Sequence, residues 1–246
     1  MDTLQSDISF AQIDWQDRNL PRSALCGDVY FSSAGGESET LHNFIYGNNL
    51  PRRLAALQCN DKFVIAETGF GTGSNLLITA HVLRKEILYK NLQLYFYSFE
   101  KYPLKPEDMK FAHENYANYP LITPEFLEKY SACDFSSSGI GFNLLEDHLK
   151  VRIFLGDIKD TLRIFQKEVA TPVDAWFLDG FAPSCNPDLW SMELFTAMSE
   201  NGRKGHTTFA TFTVAGTVIR NALSAGFKIK KTPGYGCKRE MLQGCL

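Results

Sequence analysis

An α/β fold with a mainly parallel sheet and a terminal antiparallel hairpin is what this sequence predicts. Three observations carry the expectation. Short apolar runs alternate with amphipathic helical stretches from about residue 62 onward, a glycine-rich turn joins the first such strand to the first such helix, and four strands end on an acid. Strands alternating with helices argue for parallel pairing through helical crossovers. Open sheets of that kind bind ligands outside the carboxyl ends of their strands.

Taken in order, residues 1–61 precede the alternation and form an N-terminal extension, in which "GDVYFSS" predicts a small β element and "HNFIYGNNLPRRLAAL" one helix. The core runs over 62–246. "KFVIAE" (62–67) is its first strand and is followed by a glycine-rich turn and a helix from about Asn75 to Lys85. "LQLYFYSFE" (92–100) is the second strand, "KVRIFLGD" (150–157) the third with a helix near 159–168, and "VDAWFLD" (173–179) the fourth with a helix near 187–200. "HTTFATF" (206–212) is the fifth, with a helix from Val214 to Ala225, and "FKIKK" and "KREMLQG" supply the hairpin. Residues 103–149 are too long for one crossover. They read as an insertion over the sheet edge, helical on both sides of Pro120 and with an exposed "SSSG" loop at 136–139.

Bulk properties exclude several classes. The 246 residues fit one large domain or one domain with an insertion, and 44% hydrophobic with 22% charged residues is ordinary for a globular chain. A net charge of −3 gives no global basic field. The start, "MDTLQSDISFAQIDWQDRN", lacks the basic and apolar regions of a signal peptide, and no apolar run approaches the roughly 20 residues that span a bilayer. Six cysteines are scattered without a CxxC pair or a nearby histidine. They read as reduced thiols, so the expectation is a cytoplasmic protein with no membrane contact and no metal site.

The glycine turn narrows the ligand. "AETGFGTGSN" follows a strand and opens a helix, the setting in which such turns approach a nucleotide. The dinucleotide fingerprint G-x-G-x-x-G is not met, because its third position falls on Ser74. Glu67, Gly69, Gly71 and Gly73 instead give E-x-G-x-G-x-G, which resembles motif I of class I methyltransferases using S-adenosyl-L-methionine. Glu100 ends the second strand, where an acid accepts hydrogen bonds from ribose hydroxyls. Asp157 ends the third, where it either flanks an adenine or caps the next helix.

"WFLDGFAPSCNPDLW" (176–190) closely resembles the D-G-F-A-P-x-x-N-P-x-x-W signature of the MnmC-type methyltransferase domain, a family acting on 5-aminomethyl groups of wobble uridines in tRNA. "DVYFS", "GNNLPRR", "ETGFGTGSN", "SFEKYPL", "TFATFTVAG", "GFKIKK" and "GYGCKREML" match as well, so the resemblance spans nearly the whole chain apart from parts of 105–148. Thr68 and Ser74 depart from it beside the glycines, and Cys237 stands where a basic residue is usual. The resemblance implies a Rossmann-like methyltransferase fold that binds S-adenosyl-L-methionine through Glu67, Gly69, Phe70, Gly71, Thr72, Gly73, Asn75, Glu100, Lys101, Asp157 and Ile158. It implies an acceptor nucleotide against Phe31, Asn48, Phe181, Pro183, Asn186, Lys238 and Arg239. MnmC proteins of many bacteria carry a flavin-dependent oxidoreductase half that is absent here, so a stand-alone enzyme is expected, supplied by a separate oxidoreductase or by the complex that forms the aminomethyl group.

Asp179 is the expected catalytic group. A protonated amine has no lone pair, so a carboxylate that orients it and helps remove its proton serves methyl transfer. Pro183 and Pro187 are expected to keep that carboxylate aimed, and Phe181 and Trp190 to wall the pocket or pack in the core. Lys228, Lys230, Lys231, Lys238 and Arg239 near the end, with Arg18, Arg22, Arg52 and Arg53 near the start, are expected to form a basic rim for RNA, or else a solvated face. Tyr235 would stack on a base or be buried. Three alternatives stand beside this reading: a small-molecule amine as acceptor, a nicotinamide dehydrogenase, which the glycine spacing disfavours, and a non-catalytic RNA-binding protein of the same fold.

Overall fold

The computed structural model describes residues 8–15, 22–25, 27, 36–114 and 119–246. Two short strands, β1 (Ile13–Asp14) and β2 (Arg22–Ser23), pair with each other. The single helix expected near 42–57 is broken into two pieces, a π-helical turn over Leu41–Tyr46 and α2 (Leu50–Ala55), and a further short helix, α1 (Gly36–Thr40), precedes them. Asn49 separates the last two with φ of 54°, a left-handed conformation that asparagine tolerates. The β element expected in "GDVYFSS" falls, apart from Gly27, outside the described residues.

From there the alternation holds. β3 (Lys62–Thr68) leads into α3 (Ser74–Tyr89) and β4 (Gln93–Glu100). The insertion supplies α4 (Pro106–His113) and α5 (Thr123–Ser131), each begun by a proline where the missing N–H costs nothing. It then supplies a strand that the sequence did not suggest, β5 (Gly139–Leu144), antiparallel to β6 (Leu149–Leu155). Next come α6 (Ile158–Glu168) and β7 (Ala175–Leu178). A 3-10 turn (Pro187–Trp190) and α7 (Met192–Glu200) replace the continuous helix expected over 187–200, since Ser191 is extended and caps α7 by accepting from the Leu194 amide. β8 (Thr208–Thr211), α8 (Gly216–Ser224), β9 (Lys228–Pro233) and β10 (Glu240–Cys245) complete the chain.

All strands except β1 and β2 form one sheet in the order β5-β6-β4-β3-β7-β8-β10-β9. The five central strands are parallel, and β10 runs antiparallel to both β8 and β9. Side chains alternate cleanly between two cores. Phe63 and Ile65 of β3 and Ala175 and Phe177 of β7 join α2, α3, α4 and α5 on one face. Val64, Ala66, Trp176 and Leu178 join α6, α7 and α8 on the other. This double cover is why β3 and β7 read as unbroken apolar runs. Asp174, the one acid in the β7 run, is buried and paired: it accepts from the Val64 amide at 2.9 Å and from Arg203 at 2.7 Å. No helix among the described residues is long and apolar enough to cross a membrane.

The sheet order reverses direction at β3, whose neighbours β4 and β7 belong to chain segments laid down on opposite sides. That switch point leaves a crevice outside the carboxyl ends of the strands. The candidate site opens there.

Candidate active site

A cavity of about 420 Å³ lies over the ends of β4, β3, β6, β7 and β8, roofed by α1, the π-helical turn and the β9–β10 loop. Its size is that of a small-molecule site, for which the range is roughly 300–1,000 Å³.

The glycine turn forms one end. Gly69, Gly71 and Gly73 have φ of 80°, 53° and 71°, values that side chains other than glycine adopt only with strain. Close packing adds a second demand at Gly69, where a Cβ would stand 3.0 Å from the Cα of Gly180. The turn and the loop after β7 thus meet backbone to backbone, which accounts for glycine at 69; at Gly180 the demand comes from a φ of 106° and from Leu189, 2.8 Å from where a Cβ would stand. Gly73 is the left-handed residue that starts α3, so the amino end of that helix is brought to the cavity.

Glu100 stands beside the turn. One carboxylate oxygen accepts from the Gly71 amide at 2.9 Å and the other from the Tyr102 amide at 2.8 Å. Burial pushes this acid up and the amides pull it back, leaving it above the ordinary range. Glu100 lines the cavity, where a carboxylate can accept from a ligand hydroxyl. Asp157 both lines the cavity and caps α6, accepting from the Lys159 amide at 3.1 Å and from Lys101 Nζ at 2.8 Å. Burial opposes its charge, but Lys101 and the Lys159 amide outweigh burial and hold the carboxyl below its usual range. The capping reading of Asp157 thus holds, and the same side chain faces the cavity.

Asp179 forms the other end, directly after β7. Its Oδ2 accepts from Asn75 Nδ2 and its Oδ1 from the Gly180 amide, each at 2.8 Å, while its carbonyl accepts from Thr68 Oγ1 at 2.7 Å. Burial raises the carboxyl to about 6, with Glu39 adding to the rise and Asn75, Gly180 and Lys238 reducing it. Asn75 is the hub. It donates to both Glu67 and Asp179 and accepts from Thr40, so one amide spans two acids and ties α1 to them. The aim of Asp179 comes from these bonds rather than from the prolines. Pro187 opens the 3-10 turn, and the loop is clasped by Trp190 Nε1 donating to the Phe181 carbonyl at 3.2 Å.

The cavity brings together Gly69, Phe70, Gly71, Thr72, Asn75, Glu100, Lys101, Asp157, Ile158, Asp179, Phe181, Asn186 and Lys238. Other expected positions lie elsewhere. Glu67 sits one layer behind, 1% exposed, held by Asn75 at 2.8 Å and Ser98 at 2.7 Å, and burial drives its carboxyl well up. Gly73 packs against the rings of Phe70 and Phe126. Asn48 is buried, donating to the Phe44 and Trp176 carbonyls and accepting from Thr208, so its amide is spent inside the fold. Arg53 is likewise turned inward onto the Asp174 and His206 carbonyls and Thr208, which removes it from any basic rim. Pro183 and Arg239 are not among the lining residues, and Trp190 is buried beneath the wall residue Phe212. Phe31 and Arg18 lie outside the described residues.

Sequence reasoning missed Glu39, Thr40 and Asn43 of the cavity roof. The available signal was Glu39 and Asn43 at a spacing of four in a helical stretch, which puts both on one face. Asn43 is 1% exposed, and neither atom of its amide has a hydrogen-bond partner among the described residues. Among those residues no group of three or more His, Cys, Asp or Glu is placed to hold a metal ion.

The glycine cradle, the cavity-lining carboxylate of Glu100 and the apolar lining residues Phe70, Phe99 and Ile158 fit a nucleoside carrying an amino-acid tail. Comparison with known proteins agrees. Residues 122–246 match the Methyltransf_30 family, described as S-adenosyl-L-methionine-dependent methyltransferase. The tRNA 5-methylaminomethyl-2-thiouridine biosynthesis bifunctional protein MnmC of Pseudomonas fluorescens is 41% identical over 239 residues, covering 97% of this chain and 35% of that protein. Its namesake in Vibrio cholerae serotype O1 is 41% identical over 261 aligned residues, covering 99% and 36%. The chain thus spans about a third of the length of these relatives. Among solved structures, MNMC2 from Aquifex aeolicus matches with a TM-score of 0.69 at 24% identity, covering 98% of this chain and 72% of that one, a likeness of fold. The chain belongs to the S-adenosyl-L-methionine-dependent methyltransferases, alongside the MnmC proteins, and S-adenosyl-L-methionine is its cofactor.

Proposed function

We propose that this protein methylates the nitrogen of the 5-aminomethyl group on a wobble uridine or 2-thiouridine of tRNA, giving the 5-methylaminomethyl derivative. The observation that carries the reading is Asp179: a carboxylate at one end of the cavity, fixed by two hydrogen bonds, with a third on its backbone carbonyl, and raised to about 6. When bound, the cofactor supplies an electrophilic methyl group on a sulfonium.

The protein's own groups do the rest. Gly69, Gly71 and the start of α3 hold the amino-acid end of the cofactor, and Glu100 accepts its ribose hydroxyls. Lys101, Asp157 and Ile158 flank its base. Asp179 accepts a hydrogen bond from the acceptor ammonium through a free lone pair and takes one of its protons, leaving the nitrogen lone pair free to attack. A carboxyl near 6 is ionised at neutral pH yet basic enough to share that proton. Phe181 and Phe212 line the cavity that a splayed-out base would enter. Arg52, Lys228 and Lys230 are exposed and available to phosphates. A cytoplasmic setting and a partner that supplies the aminomethyl intermediate belong to the same proposal, as does the division into an extension over 1–61 and a core over 62–246.

The test is methyl transfer from labelled S-adenosyl-L-methionine into bulk tRNA from a strain lacking the gene, with nucleoside analysis. Label in a 5-methylaminomethyl-uridine derivative supports the reading. Intact cofactor binding with no label in tRNA would reject it in favour of a small amine.

A further inference from the structure

Lys238 already occupies a ready-made site for an alkylammonium group. Its Nζ lies 3.0 Å from Glu39 Oε1 and 4.0 Å from the centre of the Phe212 ring. A carboxylate and an aromatic face around one ammonium are the two groups that recognise alkylammonium ligands in general. All three side chains line the cavity that holds Asp179, yet they come from α1, the end of β8 and the β9–β10 loop.

Two features make this more than a surface ion pair. Glu39 is fixed relative to Asp179, because the adjacent Thr40 donates to Asn75 at 2.7 Å and Asn75 donates to Asp179 at 2.8 Å. The lysine is the looser partner: its side chain is 42% exposed against 18% for Glu39, and ion pairs of that exposure are individually weak. Charge counting points the same way. Glu39 raises the Asp179 carboxyl and Lys238 lowers it, so one cation serves two acids. A second cation entering while Lys238 stays would be repelled, whereas one that replaces Lys238 preserves the balance.

We propose that Glu39 is the second carboxylate of the acceptor site, receiving the substrate's protonated aminomethyl group in the place that Lys238 fills in the free protein. This rests on the amine-methylating reading above. Lys238 is then an internal stand-in that swings out as the substrate enters, and Glu39 holds the ammonium beside Asp179.

Steady-state transfer to tRNA from a strain lacking the gene, compared across wild type, Glu39→Gln, Glu39→Asp and Lys238→Met, decides the matter. Loss of a charge-assisted hydrogen bond predicts a rise of about tenfold or more in the KM for tRNA with Glu39→Gln, with kcat changed much less. Glu39→Asp should recover part of that loss. Lys238→Met should lower KM, since the substrate no longer displaces a competitor. Calorimetry with S-adenosylhomocysteine reports whether each variant keeps the cofactor site folded. Parallel losses in Glu39→Gln and Lys238→Met would reduce the pair to a structural clasp and overturn the proposal, as would a wild-type KM in Glu39→Gln. A wild-type protein that methylates no amine in tRNA would sink the functional reading and this proposal with it.

Discussion

The two ends of the cavity are built by different means. At the end proposed for the cofactor, backbone amides do most of the holding: Glu100 is fixed by the Gly71 and Tyr102 amides and Asp157 by the Lys159 amide, while the turn itself is shaped by left-handed glycines. At the end proposed for the acceptor, side chains hold side chains. Asp179 is steered by Asn75, 104 residues away, and Glu39 meets Lys238 across 199 residues. A backbone-built site depends on conformation and tolerates most side-chain changes around it. A side-chain-built site is vulnerable at each member, and each member carries a separable part of the chemistry.

The largest effect should come from the acceptor end. Asp179→Asn is expected to lower kcat by about a thousandfold, within the span typical of general acid–base groups, while S-adenosylhomocysteine affinity by calorimetry stays within about twofold. Comparable losses in both would erase the distinction between the ends. Gly69→Ala should act in the opposite sense. Its φ of 80° and the 3.0 Å approach to Gly180 impose strain, so S-adenosylhomocysteine should bind about tenfold or more weakly and the melting temperature should fall.

The pH profile sharpens the contrast. With Asp179 near 6, kcat/KM should fall as pH drops through about 6, because the protonated carboxyl no longer accepts the amine's proton. Asn75→Ala removes a hydrogen bond that lowers this carboxyl, so the acid limb should move to higher pH. A limb left in place would show that another group sets it. The smallest effect belongs to Lys101→Met. Its pair with Asp157 is substantially exposed, and such pairs contribute about 0–1 kcal/mol. Cofactor affinity should change less than about fivefold, and high salt should shrink the difference further.

What could be read from the sequence follows the same divide. The strand ends, the glycine turn and Glu100 were legible because each depends on residues a few positions apart or on one repeating rhythm. β5 escaped because two glycines weaken its strand signal and its turn carries no Gly or Asn-Gly cue; Leu145, Glu146 and Asp147 adopt φ of 54°, 54° and 67° there instead. The π-helical turn leaves no comparable mark, so it and α2 read as one helix. Asn48 and Arg53 looked available for substrate because a run such as "GNNLPRR" does not reveal which polar groups will be consumed by distant carbonyls. Glu39 was missed for the reverse reason: its partner Lys238 lies 199 residues away.

The backbone contact between Gly69 and Gly180 sets a limit on how this enzyme can be re-purposed. Because the donor turn and the acceptor loop share that contact, they form one mechanical unit, and grafting a foreign loop after β7 would disturb the donor side as well. α1 is bound into the same unit through Thr40 and Asn75, whereas the β9–β10 loop meets the site through the Lys238 side chain. Redirecting the enzyme to another acceptor is therefore better attempted through the β9–β10 loop than through α1.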